Sequence, residues 1–257
     1  MNAKVALISG GSGGIGQQIA KTFAKEGIAV ILFARNEAKL KTVVSEIIEQ
    51  DGQAEYITGD ICNIEDIKNT ISLIKEKYGS LHILVNSAGG GPVGGLQKTT
   101  DTEWLENIKV KQLGYIRLTR EAIPLMIGTG EGIIINIIGV FGKQPSKDFI
   151  IGSVTNAALI AFTKAVADDT AQYNIRVNAI NPGATNTELW SNTIIELGQE
   201  AGQDPESVNR KIAKLSPMGR IAEPSDIANV ATFLISEKAG FITGISINVD
   251  GGTYGGI

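Results

Sequence analysis

Ser9-Gly10-Gly11-Ser12-Gly13-Gly14-Ile15-Gly16 ends the apolar run Val5–Ser9 and opens into an amphipathic stretch, Gly16–Glu26. A buried strand, a glycine-rich turn and a helix in that order begin a parallel α/β sheet. Glycines let the backbone turn sharply and approach a pyrophosphate, whose charge then lies at the helix N-terminus. The same turn also serves as a plain tight connection; its place at the first crossover is what points to phosphate.

Outward from this turn, short β-branched runs alternate with longer amphipathic ones. The strand-like runs are Val5–Ser9, Ala29–Phe33, Ala54–Thr58, Ile83–Asn86, Gly132–Ile138, Arg176–Ile180 and Ile245–Val249. Several are apolar at successive positions, as in strands covered on both faces. Helical patterns fall at Gly16–Glu26, Glu37–Gln50, Ile64–Tyr78, Thr102–Ile127, Ser153–Gln172 and Pro224–Ser236. Asn36 is placed to cap the second, and Thr100 or Asp101 the fourth. The alternation predicts one Rossmann-like, doubly wound α/β domain over residues 1–257: a parallel sheet of about seven strands with helices on both faces. Ala184–Lys214 reads as the one long irregular stretch, weakly helical and polar, placed to be a substrate lid or a surface excursion.

Composition narrows the class. The 257 residues are 43% hydrophobic and 19% charged, with a net charge of −4. Dispersed Lys and Arg offer no basic face for nucleic acid and no polybasic membrane patch. No apolar run reads as long enough to span a bilayer, and the polar lead Met1-Asn2-Ala3-Lys4 does not read as a signal peptide. Cys62 is the only cysteine, which excludes an internal disulfide and suits a reducing cytoplasm. No histidine or cysteine cluster suggests a metal.

The spacing of Gly10, Gly14 and Gly16 resembles that of the short-chain dehydrogenase/reductase family, and the resemblance runs through the whole chain. Asp60 and Ile61 follow the third strand, where the family sets an acid against adenine. Asn86-Ser87-Ala88-Gly89 is similar to the family's Asn-Asn-Ala-Gly, and Asn181-Pro182-Gly183-Ala184-Thr185-Asn186-Thr187 to the segment that holds the nicotinamide amide. Thr243-Gly244 and Val249-Asp250-Gly251-Gly252 resemble its C-terminal signature. The resemblance implies a dinucleotide held by Gly10, Ser12, Gly14, Ile15, Gly16, Asp60, Ile61, Asn86, Ala88, Gly89, Val110, Pro182, Gly183, Thr185 and Thr187. Its flavour is that of 3-oxoacyl-carrier-protein reductases. At the end of the second strand Ala34 stands where NAD-preferring relatives place Asp, and Arg35 where NADP-preferring relatives place a base. NADP(H) is therefore favoured over NAD(H).

The family's catalytic residues do not carry over. It delivers a proton from a tyrosine activated by a lysine four residues later, with a serine that orients the carbonyl and an asparagine that supports a water relay. Here the asparagine position is Lys111, the serine position Gly139, the tyrosine position Gly152 and the lysine position Asn156. Tyrosines occur only at 56, 78, 115, 173 and 254, and none has a lysine four or seven residues on. Lys111 and Asn156 look like an exchange of the family's Asn and Lys. That places an ammonium by the nicotinamide ribose or, on the competing reading, a solvated or salt-bridged lysine. Tyr115 shares Lys111's helix face or packs in the core. Ser153 points about 100° away from the tyrosine position. Asp148, Lys143 and Lys147 are candidate polar contacts on the rim, and His82 a strand-end residue.

Three functions remain open: a divergent oxidoreductase or non-redox enzyme, an NADP(H)-binding sensor or inert subunit in a hetero-oligomer, and a structural remnant. The glycine turn, Asp60 and Arg35 speak against the last. The family's habit of two-fold assembly and the small, apolar helix at Ser153–Gln172 imply a homodimer or homotetramer.

Overall fold

Alternate side chains of the first strand part to opposite faces: Ala6 and Ile8 join one apolar cluster, Val5 and Leu7 the other. Every strand near the centre repeats that division, because the side-chain period of a strand is two. The structure, a computed structural model, describes residues 3–256. Met1, Asn2 and Ile257 lie outside that range.

Among the described residues seven parallel strands form one sheet: β1 (Val5–Ser9), β2 (Ala29–Ala34), β3 (Ala54–Thr58), β4 (Ile83–Asn86), β5 (Gly132–Ile137), β6 (Ile175–Pro182) and β7 (Ser246–Val249). Their order is β3-β2-β1-β4-β5-β6-β7. The chain runs one way from β1 to β2 and the other way from β4, so the crevice at the strands' C-terminal ends opens beside β1. Register sets Ser9 level with Phe33 and Asn86, and Asn86 level with Asn136. Four strand ends therefore finish together. On one face lie α1 (Gly14–Lys25), α2 (Glu37–Ile48) and α9 (Pro224–Ile235). On the other lie α3 (Ile64–Tyr78), α5 (Gly114–Thr129) and α6 (Ile150–Thr170).

The element order follows the sequence reading, with three corrections. The helix read over Thr102–Ile127 is broken into α4 (Asp101–Asn107), a π-helical stretch (Ile108–Leu113) and α5. Thr100 caps it in a capping box with Glu103. The stretch read as irregular, 184–214, holds two helices, α7 (Glu188–Ala201) and α8 (Pro205–Leu215). Both have local start signals: Thr187 Oγ1 accepts from Trp190 N at 3.1 Å, and Asp204 caps Ser207 N at 2.9 Å ahead of Pro205. The third correction is α6, which with its following turn is long and apolar enough, by length and composition alone, to cross a membrane. It packs along β6 and buries Thr155, Asn156 and Thr163, as a core helix does.

Candidate active site

The glycine turn stands at the crevice between β1 and β4. Gly10 has φ 69°, and a Cβ there would meet the Ser87 carbonyl at 2.7 Å. A Cβ on Gly16 would collide with the Gly10 carbonyl oxygen. The turn is thus closed on itself and on the start of the β4 exit, with no space for a side chain at Gly10 or Gly16. Gly13 precedes α1 without a side-chain cap, and no acid occupies the first turn. The first N–H groups of α1 are left to an external anion. They front a cleft of about 1880 Å³, larger than most single-ligand pockets. All the residues expected to hold a dinucleotide line it, with one exception.

The exception is Asn86. Its side chain is fully buried and turned inward, where Nδ2 donates to Asn136 Oδ1 at 2.8 Å and Thr119 Oγ1 at 3.1 Å. Asn136 in turn donates to Thr163 Oγ1 at 3.0 Å. This buried ladder ties β4, β5, α5 and α6 together and fixes the loop Ser87-Ala88-Gly89, which does face the cleft. A strand-end asparagine and its neighbour point to opposite sides, and only the neighbour lines the cleft.

At the far end of the cleft stand Ala34, Arg35, Asn36 and Glu37. Asn36 caps α2 through Lys39 N at 3.0 Å. Glu37 is held by Lys41 at 2.9 Å and by the Tyr56 hydroxyl at 3.2 Å. The Lys41 contact keeps its carboxyl below the ordinary range. Lys39 is paired with Glu188 across the cleft mouth at 2.5 Å. Arg35 is exposed at this end and, unlike Lys39 and Lys41, pairs with no carboxylate among the described residues. Asp60 shapes its own turn, accepting from Cys62 N at 2.8 Å. Uncapped helix, glycine cradle and exposed arginine fit a nicotinamide dinucleotide, which would bring a transferable hydride to the centre of the cleft.

The four family catalytic positions meet at the end of β5. Lys111 is neither solvated nor salt-bridged, against the second reading of it. The π-helical turn swings it inward, it is 6% exposed, and its Nζ donates to the Ile138 carbonyl at 2.6 Å. Burial alone lowers its pKa to about 8. Tyr115, one turn on, is fully buried and donates to the preceding carbonyl, Ile137 O, at 2.9 Å. Two side chains from one helix face thus hold consecutive carbonyls where β5 ends. Gly139 follows with φ 135°, a conformation that side chains rarely adopt, and a Cβ there would meet Asn156 Nδ2 at 2.8 Å. Asn156 therefore fills the space of the missing serine. Gly152 lies in the first turn of α6, and a Cβ there would meet only Gly91 Cα at 3.6 Å, an ordinary contact. Gly139 is required by its backbone; Gly152 simply leaves room.

Other candidates resolve by their partners. Ser153 is buried, donating to Phe149 O at 2.9 Å and accepting from Ser146 N at 3.0 Å, so it shapes the loop. Lys143 is not on the rim: its Nζ donates to Ser246 O at 2.5 Å, tying this loop to β7. Asp148 lines the cleft and Lys147 does not. His82 Nδ1 accepts from Val5 N at 3.1 Å at the opposite end of the sheet. No group of three or more potential metal ligands occurs among the described residues. The sequence reading missed the apolar wall that α7 and α8 lay over the cleft: Leu189, Trp190, Leu197, Val208, Ile212 and Leu215. Their helical spacing and the two caps were the available signals.

The family model described as enoyl-(acyl carrier protein) reductase matches residues 10–254. A 2,5-dichloro-2,5-cyclohexadiene-1,4-diol dehydrogenase of Sphingobium indicum, LinX, is 35% identical over 254 residues, covering 99% of this chain and 97% of that one. The L-sorbose reductase of Gluconobacter frateurii, solved with NADPH and L-sorbose, superposes with a TM-score of 0.93 at 33% identity, covering 100% of this chain and 98% of that one. An NAD+-bound xylitol dehydrogenase superposes equally well, at 0.93 with 28% identity, over 98% of this chain and 99% of that one. The chain belongs to the short-chain dehydrogenase/reductase family of oxidoreductases.

Proposed function

We propose that this protein is an NADP(H)-dependent oxidoreductase with an altered catalytic set, acting on a ketone or secondary alcohol carried against an apolar wall. The observation that carries the reading is the composition of the catalytic corner. Lys111 and Asn156 are buried there beside two glycines, and the corner holds no hydroxyl in the family's tyrosine position. Without the family's tyrosine–lysine pair, ordinary ketone reduction is weaker than in relatives that keep it, because an activated acid–base pair commonly supplies about 10²–10⁴ in rate. The inert-subunit reading is set aside: a cleft that combines a buried, polar corner with an apolar wall is built to hold more than a dinucleotide.

The preference for NADP(H) rests on Arg35 and on what surrounds it. Glu37, the acid nearest the ribose end, is engaged by Lys41 and Tyr56, and Ala34 presents no carboxylate. Among the neighbours, L-sorbose reductase was solved with NADPH and xylitol dehydrogenase with NAD+, so the residues of this chain carry the choice. Calorimetric titration with NADPH and NADH, paired with turnover on cyclic ketones and alcohols, tests both parts. Tighter NADH binding refutes the cofactor assignment, and brisk reduction of an ordinary ketone refutes the weakened catalysis.

Self-association belongs to the same reading. Val154 on α6 is 52% exposed, and Phe233 on α9 and Phe241 and Ile245 ahead of β7 are exposed apolar residues. A second copy would cover both patches, as a homodimer or homotetramer. A monomeric mass by light scattering at micromolar concentration refutes it. The lone thiol of Cys62 fits a reducing, cytoplasmic setting.

A further inference from the structure

Lys111 is a buried ammonium with one acceptor. Its three N–H donors have only the Ile138 carbonyl among the described residues. No carboxylate among the described residues offsets its burial, and an unpaired buried charge is costly. Asn156 supplies the opposite defect. It is 5% exposed, and its Oδ1 is buried without a donor. Both residues line the cleft, and both converge on the backbone at 138–139: Lys111 on the Ile138 carbonyl, Asn156 against Gly139. Gly152 leaves open volume on the same wall. Spare Lys111 donors at the wall of a cleft that Gly152 leaves open define their complement as a ligand oxygen that accepts.

We propose that Lys111 is the proton-transferring residue of this enzyme, giving its Nζ proton to a ketone oxygen that becomes a hydroxyl. The proposal rests on the dinucleotide reading above, since the carbonyl carbon must receive a hydride with its electron pair from the bound dinucleotide. The C=O π bond breaks, a C–H and an O–H bond form, and the neutral amine regains a proton from water in the cleft. In the oxidative direction the neutral amine takes the proton from the alcohol. The Tyr115 hydroxyl is committed to Ile137 O and that of Ser153 to Phe149 O, and Thr155, whose buried Oγ1 has no partner, does not line the cleft. A lysine whose pKa lies near 8 suits proton transfer in either direction close to neutral pH.

Two readouts test this. Reductive methylation with 13C-formaldehyde, followed by NMR, reports whether Lys111 Nζ can be reached from the cleft and where it titrates. Its resonance, assigned by its absence in Lys111→Met, should titrate at least one unit below those of the exposed lysines. No labelling, or an ordinary titration, overturns the proposal. NADPH binding by calorimetry and NADPH oxidation with cyclohexanone, 1-indanone and 1-tetralone are then compared for wild type, Lys111→Met and Lys111→Asn. Turnover should fall about a hundredfold or more in both variants, with NADPH affinity within a few-fold of wild type. Variants as fast as wild type, or a wild type that binds NADPH and reduces none of the three, overturn the role of Lys111. A wild type that binds neither NADPH nor NADH overturns the dinucleotide reading itself.

Discussion

Replacing Lys111 by methionine should stabilise the fold at neutral pH and remove a pH dependence that the wild type carries. The ordinary lysine pKa of 10.5 is lowered to about 8 by burial. One unit corresponds to about 1.4 kcal/mol, so holding the ammonium inside costs about 3 kcal/mol at pH 7. Methionine has similar length and no charge to desolvate, but it abandons the bond to Ile138 O, worth about 1 kcal/mol. The net gain at pH 7 is about 2 kcal/mol. The sign with pH follows from proton counts. Between about 8 and 10.5 the unfolded lysine binds more proton than the folded one, so wild-type stability rises with pH across that window. The penalty is fully present below about 8 and gone above 10.5. Urea unfolding of both proteins at pH 6.5, 8, 9.5 and 10.5 measures the difference. The variant should lead at pH 6.5 and fall behind at pH 10.5. Parallel stability curves, or a variant weaker at every pH, would refute the claim that Lys111 is an uncompensated buried cation.

Arg35→Ala should weaken NADPH binding by about 1.5–3 kcal/mol, roughly ten- to a hundredfold, and leave NADH binding unchanged by calorimetry. Gly16→Ala should abolish binding of both dinucleotides while the protein stays folded by circular dichroism, because the new methyl displaces the Gly10 carbonyl and with it the anion cradle. Installing the family's set through Gly152→Tyr, Asn156→Lys and Lys111→Asn should raise ketone reduction. Adding Gly139→Ser should then lower thermal stability by about 1–3 kcal/mol, since φ is 135° there; an unchanged melting temperature would show that this backbone relaxes without strain.

What the sequence determined by itself is whatever depends on near neighbours. The strand runs, the glycine turn and the cap at Asn36 are set by side-chain period, steric freedom and hydrogen bonds within a few residues, and their positions needed no tertiary information. The absence of any Tyr–Lys pair was likewise a matter of spacing. Lys111 was different. Whether it met solvent, an acid or a carbonyl depended on a π-helical turn and on the end of a strand 27 residues away. Asn86 belonged to a family motif, yet its side chain turned into a ladder with Asn136 and Thr119 that only sheet register could assemble. Gly139 and Gly152 looked equivalent as letters; backbone conformation separates one that must be glycine from one that leaves a space. The helices at 188–215 carried local caps, but their apolar residues became a cleft wall only where the fold set them over the ends of the strands. Burial and long-range contact are properties of the assembled chain, and the chemistry of this corner is decided there.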